Sequence, residues 1–299
     1  MSMRTPPGVL KNATATIIGV GVLGTRVAKL LVESGIGRLV LVDRDIVEED
    51  NLERQELYSN ADVGKPKVIA AQDSFSGSET TVTAVPRELT WENADTLLPE
   101  GIIIDCTDNF EARYIIDRWC RKHKRPWVHG AAAGSVGNAM LFIPDGPCFF
   151  CIFRGKKGQD CGIAGILPET ASIVAATQAQ LAIDHLLGLD SSKGLLRVDA
   201  QRLSMTEITV AKREDCPGCA DKGSPPSARI NKMCSKGLYQ TKLPITYRKA
   251  KAILSKKFDI KEFSGAFSVG PFTVFSERRV LIKAATQEKA LALLEKHLS

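Results

Sequence analysis

The sequence has no apolar leader, no unbroken membrane-length run, no internal repeat and only four histidines. Its start, Met-Ser-Met-Arg-Thr-Pro-Pro, holds no apolar core of the kind a secretory signal needs, so a cytoplasmic protein is expected. The apolar stretch from Ile163 to Leu189 is interrupted by Pro168, Glu169, Gln178, Gln180 and Asp184, which argues against a membrane span. The histidines (His123, His129, His185 and His297) are scattered and give no ligand or triad spacing. A net charge of +6 is mild for 299 residues and does not single out a nucleic acid. Neither a nucleic-acid nor a membrane partner is predicted.

What is there is a chain long enough for one large domain and something smaller, with 44% apolar and 25% charged residues. Eight cysteines in a chain expected to stay in a reducing compartment suggest metal or redox chemistry rather than a disulfide framework.

The organising stretch runs from Ala13 to Asp43. A short apolar run ends at Gly19, and Gly19, Gly21 and Gly24 follow at G-x-G-x-x-G spacing. Val22, Val27, Leu30 and Leu31 can share one face of a helix, and Leu39 to Val42 is a second buried-strand run ending in Asp43. Strand, glycine turn, helix, strand and acid in this order favour nucleotide binding. Gly19 permits the turn, Gly21 lets backbone approach a phosphate, and Gly24 lets the helix pack closely. A nicotinamide dehydrogenase shows the same pattern, so the nucleotide is not decided here.

Further along, a charged loop follows Asp43. Helices are expected near 66–75, 91–98, 110–123 and 167–187, and strands near 80–86, 101–106, 126–129, 195–200 and 204–212. Ala131 to Pro144 reads as a returning strand. Such alternation predicts an α/β fold: a Rossmann-like, doubly wound, mostly parallel sheet with helices on both faces. Lys222-Gly-Ser-Pro-Pro-Ser is a linker by composition. It divides a first domain, residues 1–222, from a small α+β unit, residues 228–299. That unit is expected to hold a basic helix over 246–257, a hairpin of 272–275 with 280–283, and a last helix over 287–298.

Four cysteines come as two pairs, Cys148-Phe-Phe-Cys151 and Cys216-Pro-Gly-Cys219, both in turn contexts. Two such pairs favour one closed four-thiolate zinc site over two redox dithiols. Its role would be structural, pinning the segment after the sheet. Asp108 follows a strand at the nucleotide end of the sheet and reads equally as a magnesium ligand or as the cap of the next helix. Arg54, Lys65 and Lys67 cluster beyond Asp43, where a phosphate role competes with plain surface charge. Cys161 lies in a glycine-bearing loop beside Lys156 and Lys157. It reads equally as a reactive thiol or a structural cysteine. Cys106 and Cys120 read as core.

Together these residues resemble the ThiF/MoeB/ubiquitin-activating enzyme family. The matching features are Gly19-Val-Gly-Val-Leu-Gly24, Asp43-x-Asp45-x-Val47, Asn51-Leu-x-Arg54-Gln55 and Gly64-Lys-Pro-Lys67. Asp105-Cys-Thr-Asp-Asn109 with Arg113, the four paired cysteines and Cys161-x-x-Ala-Gly165 complete the set. The match covers about residues 13–220. The resemblance implies ATP- and magnesium-dependent adenylation of the C-terminal glycine of a ubiquitin-like or sulfur-carrier β-grasp protein ending in Gly-Gly, by a homodimeric adenylyltransferase. It implies that the glycine loop lies against the ATP phosphates and that Asp43 takes the ribose. Asn51, Arg54 and Lys67 then hold phosphates with Gln55 nearby, Asp108 holds magnesium, and Cys161 accepts the activated acyl group or carries sulfur. Val22 stands where the family usually has a further glycine, and Arg4 is the only arginine before the first strand. Two rival readings are an NAD(P)-dependent oxidoreductase and a non-catalytic adaptor that keeps the fold.

Overall fold

The structure is a computed structural model, and it describes residues 8–99, 101–153, 165–190, 193–220, 231–232, 238–263, 266–276 and 278–298. These fall into two units, one made of the described residues up to 220 and one of those from 231 on.

The first unit is built on eight strands in the order β3-β2-β1-β4-β5-β6-β7-β8. They are β1 (Thr14–Ile18), β2 (Arg38–Val42), β3 (Thr81–Val85), β4 (Ile102–Asp105), β5 (Trp127–Ala133), β6 (Val136–Phe142), β7 (Leu195–Asp199) and β8 (Ser204–Ile208). The first five in spatial order are parallel, and β6, β7 and β8 add to them antiparallel. The helices are α1 (Val22–Glu33), α2 (Glu49–Leu52), α3 (Lys67–Ser74), α4 (Ala94–Leu97), α5 (Phe110–Lys122), α6 (Phe149–Phe153) and α7 (Pro168–Leu186).

Alternation along the strands divides the core in two. Ala15, Ile17, Leu39, Leu41, Ile102 and Ile104 pack with Val27 and Leu31 of α1, Ala70 of α3 and Ala175 of α7. Ile18, Val42 and Ile103 face the other way, onto Leu97 of α4 and Ile115, Ile116 and Trp119 of α5. A parallel sheet buried on both faces needs apolar residues at successive positions, and β4 (Ile-Ile-Ile-Asp) is buried throughout. This is the doubly wound sheet that the sequence predicts. Among the described residues, no helix is long and apolar enough to cross a membrane.

The register levels the strand ends. Ile18 is opposite Val42 on one side and Asp105 on the other. Gly19, Asp43 and Cys106 therefore leave the sheet side by side. The β1–β4 boundary is also where the strand order reverses, the place where open α/β sheets bind ligands.

Several expected elements are shorter. The helix expected over 91–98 is α4 alone, flanked by an Asn93 side chain that accepts from the Thr90 amide at 2.8 Å and by Pro99. The strand expected over 204–212 ends at Ile208, on an exposed edge where packing gives the chain nothing to extend against.

The second unit has six antiparallel strands in the order β11-β12-β13-β14-β10-β9. They are β9 (Asn231–Lys232), β10 (Leu238–Lys242), β11 (Lys261–Phe263), β12 (Ala266–Val269), β13 (Phe272–Phe275) and β14 (Arg279–Lys283). Helices α8 (Tyr247–Leu254) and α9 (Gln287–Leu298) share a core with Tyr239, Phe267, Phe272, Val274, Val280 and Ile282. The expected hairpin is β13–β14, and the last helix has the expected bounds. The basic helix is three residues shorter at its end than expected. Strands β9 to β12 lack the long alternating runs that would have marked them in the sequence.

Candidate active site

The glycine turn is fixed by close approach of backbone. Gly19 has φ +90°, and its N–H donates to Val42 O at 2.8 Å. A Cβ there would sit 2.7 Å from Cys106 O, and one on Gly24 would overlap the Gly19 carbonyl. Both positions therefore exclude a side chain. At Gly21 an added Cβ meets nothing within 4 Å, so the turn opens onto free space. Gly21 is the N-cap of α1 and no side chain caps that helix start, which leaves first-turn N–H groups available to an anion.

Asp43 is tied to this turn. Its Oδ2 accepts from Val20 N at 2.6 Å and its Oδ1 from Asp45 N at 2.7 Å. Each oxygen keeps a further lone pair. Burial, then the neighbouring Asp45 carboxylate, pushes the Asp43 pKa up, against Lys67 and the two backbone bonds. Tyr58 braces the turn from behind, its hydroxyl donating to Val20 O at 2.7 Å, and burial drives that phenol far above its usual pKa. Asp45 continues the chain of contacts. Its Oδ2 is 3.8 Å from the Lys67 ammonium, and its carbonyl accepts the Lys67 N–H at 2.9 Å. Lys67 opens α3 and is buried apart from 8% of its surface, an unusual place for a lysine.

The turn after β4 is held by a buried network. Asp105 Oδ1 accepts from Thr107 N at 3.0 Å and Thr107 Oγ1 at 2.6 Å. Asp105 Oδ2 accepts from Arg113 Nε at 3.2 Å and lies 2.9 Å from His129 Nδ1. Arg113 also donates to Thr107 O at 2.6 Å, and Gln178 of α7 donates to Asp105 O at 2.7 Å. Burial alone would raise the Asp105 pKa, but Arg113 and the bonds from His129 and Thr107 hold it below the ordinary carboxylate range. Burial lowers the pKa of His129, against the Asp105 bond. Asp108 projects beyond this turn and is exposed. It is not the cap of α5: Asn109 is, with its Oδ1 accepting from Ala112 N at 2.8 Å. Of the two readings that the sequence left for Asp108, the cap belongs to its neighbour.

The remaining expected residues differ in their setting. Gln55 is buried and Arg54 exposed, and the Arg54 carbonyl accepts from Arg26 of α1 at 3.1 Å. Lys65 pairs with Asp62 at 2.8 Å. Asn51 lies in α2, with its side chain outside the described atoms. Cys161 lies outside the described residues. Cys106 and Cys120 are both buried, as core cysteines should be.

The two cysteine pairs meet. The sulfurs of Cys148, Cys151, Cys216 and Cys219 lie within 4.8 Å of one another. Cys148 Sγ is 3.7 Å from Cys151 Sγ and 3.5 Å from Cys216 Sγ, and Cys151 Sγ is 3.5 Å from Cys219 Sγ. A tetrahedron with zinc–sulfur bonds of about 2.3 Å has edges of about 3.8 Å, so the donor set and its size fit zinc. Cys148 precedes α6, and Asp117 of α5 accepts the first N–H of that helix, from Phe149, at 3.1 Å. Gly218 is required here, since a Cβ would lie 2.7 Å from Phe150 Cβ and 3.0 Å from Cys148 Sγ.

Sequence reasoning missed Tyr58, Arg26 and His129 as parts of the site, and it named Asp45, Asp105 and Arg113 only as motif positions of the resemblance, without a role. Buried polar residues inside apolar strands were a further signal for the network: Asp105 ends Ile-Ile-Ile, and His129 follows Trp-Val.

Comparison with known proteins bears on this arrangement. A model described as the ThiF family matches residues 8–218. The SAMP-activating enzyme E1 of Haloferax volcanii is 34% identical over 227 residues, covering 72% of this chain and 83% of that protein. The sulfur carrier protein ThiS adenylyltransferase of Bacillus subtilis is 34% identical over 252 residues, covering 79% and 75%. The molybdopterin-synthase adenylyltransferase of Escherichia coli is 32% identical over 219 residues, covering 70% and 88%. Among solved structures, E. coli MccB with ATP shares the fold at TM-score 0.62 and 21% identity, covering 71% of this chain and 68% of that one.

Proposed function

The chain belongs to the ThiF family, and we propose that it is an ATP-dependent adenylyltransferase that activates the C-terminal carboxylate of a sulfur-carrier or ubiquitin-like β-grasp protein. The observation that carries the reading is the convergence of the glycine turn, the Asp43–Asp45–Lys67 chain and the Asp108 turn at the carboxyl ends of β1, β2 and β4. Relatives that share about a third of their residues with this chain over most of its first unit are named as a SAMP-activating enzyme and as an adenylyltransferase of a sulfur carrier protein.

A carboxylate is a poor electrophile, and adenylation gives it AMP as a leaving group. The carrier's carboxylate oxygen attacks the α-phosphorus of ATP, the bond to the β-phosphate oxygen breaks, and pyrophosphate leaves. Both reactants are anionic, so the protein's task is to offset their repulsion and hold them in line. In this reading the open turn at Gly21 and the uncapped start of α1 take phosphate oxygens. Lys67, fixed by Asp45, and Arg54 offset phosphate charge, with Asn51 and Gln55 beside them. Asp43 uses its free lone pairs for the ribose hydroxyls. Asp108 would hold magnesium, which supplies further charge neutralisation on the phosphates.

Zinc fits Cys148, Cys151, Cys216 and Cys219 and would have a structural role, because four thiolates leave no open coordination position. Cys161 is proposed as the thiol that takes the acyl group or delivers sulfur after adenylation. The enzyme is proposed to work as a homodimer, which light scattering at micromolar concentration tests directly.

The reading is tested by ATP–pyrophosphate exchange with a panel of β-grasp proteins ending in Gly-Gly. Exchange dependent on one carrier is expected. Nucleotide binding with no exchange on any carrier would replace the enzyme with an adaptor, and nicotinamide turnover would replace it with an oxidoreductase.

A further inference from the structure

The whole-chain charge of +6 conceals two opposite values. Residues 228–299 carry 15 lysines and arginines against 5 aspartates and glutamates, an excess of ten positive charges. The preceding 227 residues carry 25 against 29. Such asymmetry between parts of one chain signals a polyanionic partner for the basic part.

The structure shows how that charge is presented. Arg248 and Lys249 of α8, Lys256 and Lys257 just beyond it, and Arg278 in the β13–β14 turn are all exposed. None of these five makes an ion pair among the described residues. Arg248 and Arg278 face one open cleft of about 510 Å³, lined also by Thr246, Tyr247 and Ser276. Lys251 differs, being held by Glu262 at 2.7 Å.

Three features decide which polyanion fits. The exposed large apolar side chains of the described residues all lie in the first unit, so among the described residues this surface offers no apolar side chain to insert into a bilayer. Eleven of the 15 basic residues are lysines, a residue depleted at protein–protein interfaces and attracted by phosphate backbones. The cleft's one aromatic, Tyr247, is half-buried against Phe267 at 5.1 Å between ring centroids, so it is not a free stacking platform for unpaired bases.

We propose that the C-terminal unit binds the phosphate backbone of double-helical nucleic acid, with Arg248 and Arg278 as contacts in the cleft. The inference is independent of the adenylation reading, because none of the residues it uses belongs to the candidate active site.

The test uses the full-length chain and fluorescence anisotropy with labelled 20-base-pair RNA and DNA duplexes of one sequence. Oligo-dT of equal length, phosphatidylserine vesicles and polyglutamate serve as alternative polyanions. Both duplexes are expected to bind with Kd on the order of 1–100 μM near physiological salt and to weaken steeply as salt rises. In an Arg248→Ala/Arg278→Ala variant the slope of log K against log salt should fall by about 2, one for each phosphate no longer neutralised. The variant's melting temperature and pyrophosphate exchange should match wild type. Absence of duplex binding at 100 μM, an unchanged slope in the variant, or tighter binding of oligo-dT, vesicles or polyglutamate than of either duplex would each overturn the proposal. A preference between the two duplexes names which nucleic acid is read.

Discussion

Asp43 Oδ2 lies 2.6 Å from the backbone nitrogen of Val20, so the acid that ends β2 holds the glycine turn that follows β1. The same carboxylate accepts from Asp45 N, and Asp45 in turn meets Lys67. One acid therefore both shapes the turn and sets the loop that carries the buried lysine.

This link predicts that Asp43→Ala weakens ATP binding through the turn as well as through any ribose contact. A hydrogen bond to a charged group contributes about 1.5–3 kcal/mol, so losing the equivalent of one such bond to bound ATP should raise the ATP Kd about 10- to 150-fold. Calorimetric titration with ATP checks it. A Kd within about twofold of wild type would detach Asp43 from nucleotide binding.

Asp108→Ala is expected to abolish carrier-dependent pyrophosphate exchange while leaving the melting temperature unchanged, because the cap of α5 belongs to Asn109. Exchange at near wild-type rate in this variant would remove Asp108 from the chemistry.

The buried His129–Asp105 pair gives a pH dependence with a defined sign. The folded state lowers the His129 pKa below its ordinary 6.5, chiefly by burial. Stability tied to neutral His129 is therefore complete above about pH 6.5 and is lost as pH falls from there through the depressed folded-state pKa. Asp105, also lowered, adds a loss that begins only below its ordinary 3.8. Asp117, whose pKa burial raises to about 6, acts in the opposite direction in the same window, so the test is a difference: in urea titrations from pH 5 to 7.5, wild type should lose more stability toward acid, or gain less, than His129→Asn. Identical slopes for the two proteins would rule His129 out as the group responsible.

The four-thiolate geometry predicts one zinc per chain. Cys148→Ser and Cys219→Ser should lower the melting temperature and metal content together. Elemental analysis of the purified protein at well below one zinc per chain would refute the site.

Cys161 supports a separable prediction, since adenylate formation needs no thiol. Cys161→Ala is expected to keep pyrophosphate exchange and to lose a thiol-sensitive covalent adduct with the carrier, seen by intact-mass spectrometry. If the wild-type enzyme with ATP and its carrier forms no such adduct, Cys161 has no acyl- or sulfur-transfer role.

The sequence by itself determined the sheet order's raw material and the turn. Gly19, Gly21 and Gly24 are legible because close backbone approach leaves glycine no substitute, and apolar runs such as Ile102 to Ile104 announce strands buried on both faces. The paired cysteines are legible for a similar reason: a two-residue spacer on a turn brings two sulfurs to one ion. What tertiary structure alone decided is which polar groups meet. Asp105 and His129 are 24 residues apart and become partners only because β4 and β5 pair in register. Cys148 and Cys216 are 68 apart in sequence, and their sulfurs lie 3.5 Å from each other. Asp108 and Asn109 offer nearly the same chemistry to a helix start, and only the backbone path after β4 settled that Asn109 caps it. Local sequence encodes backbone conformation and burial at a few residues' range, whereas a carboxylate's partners depend on strand register that no local pattern carries.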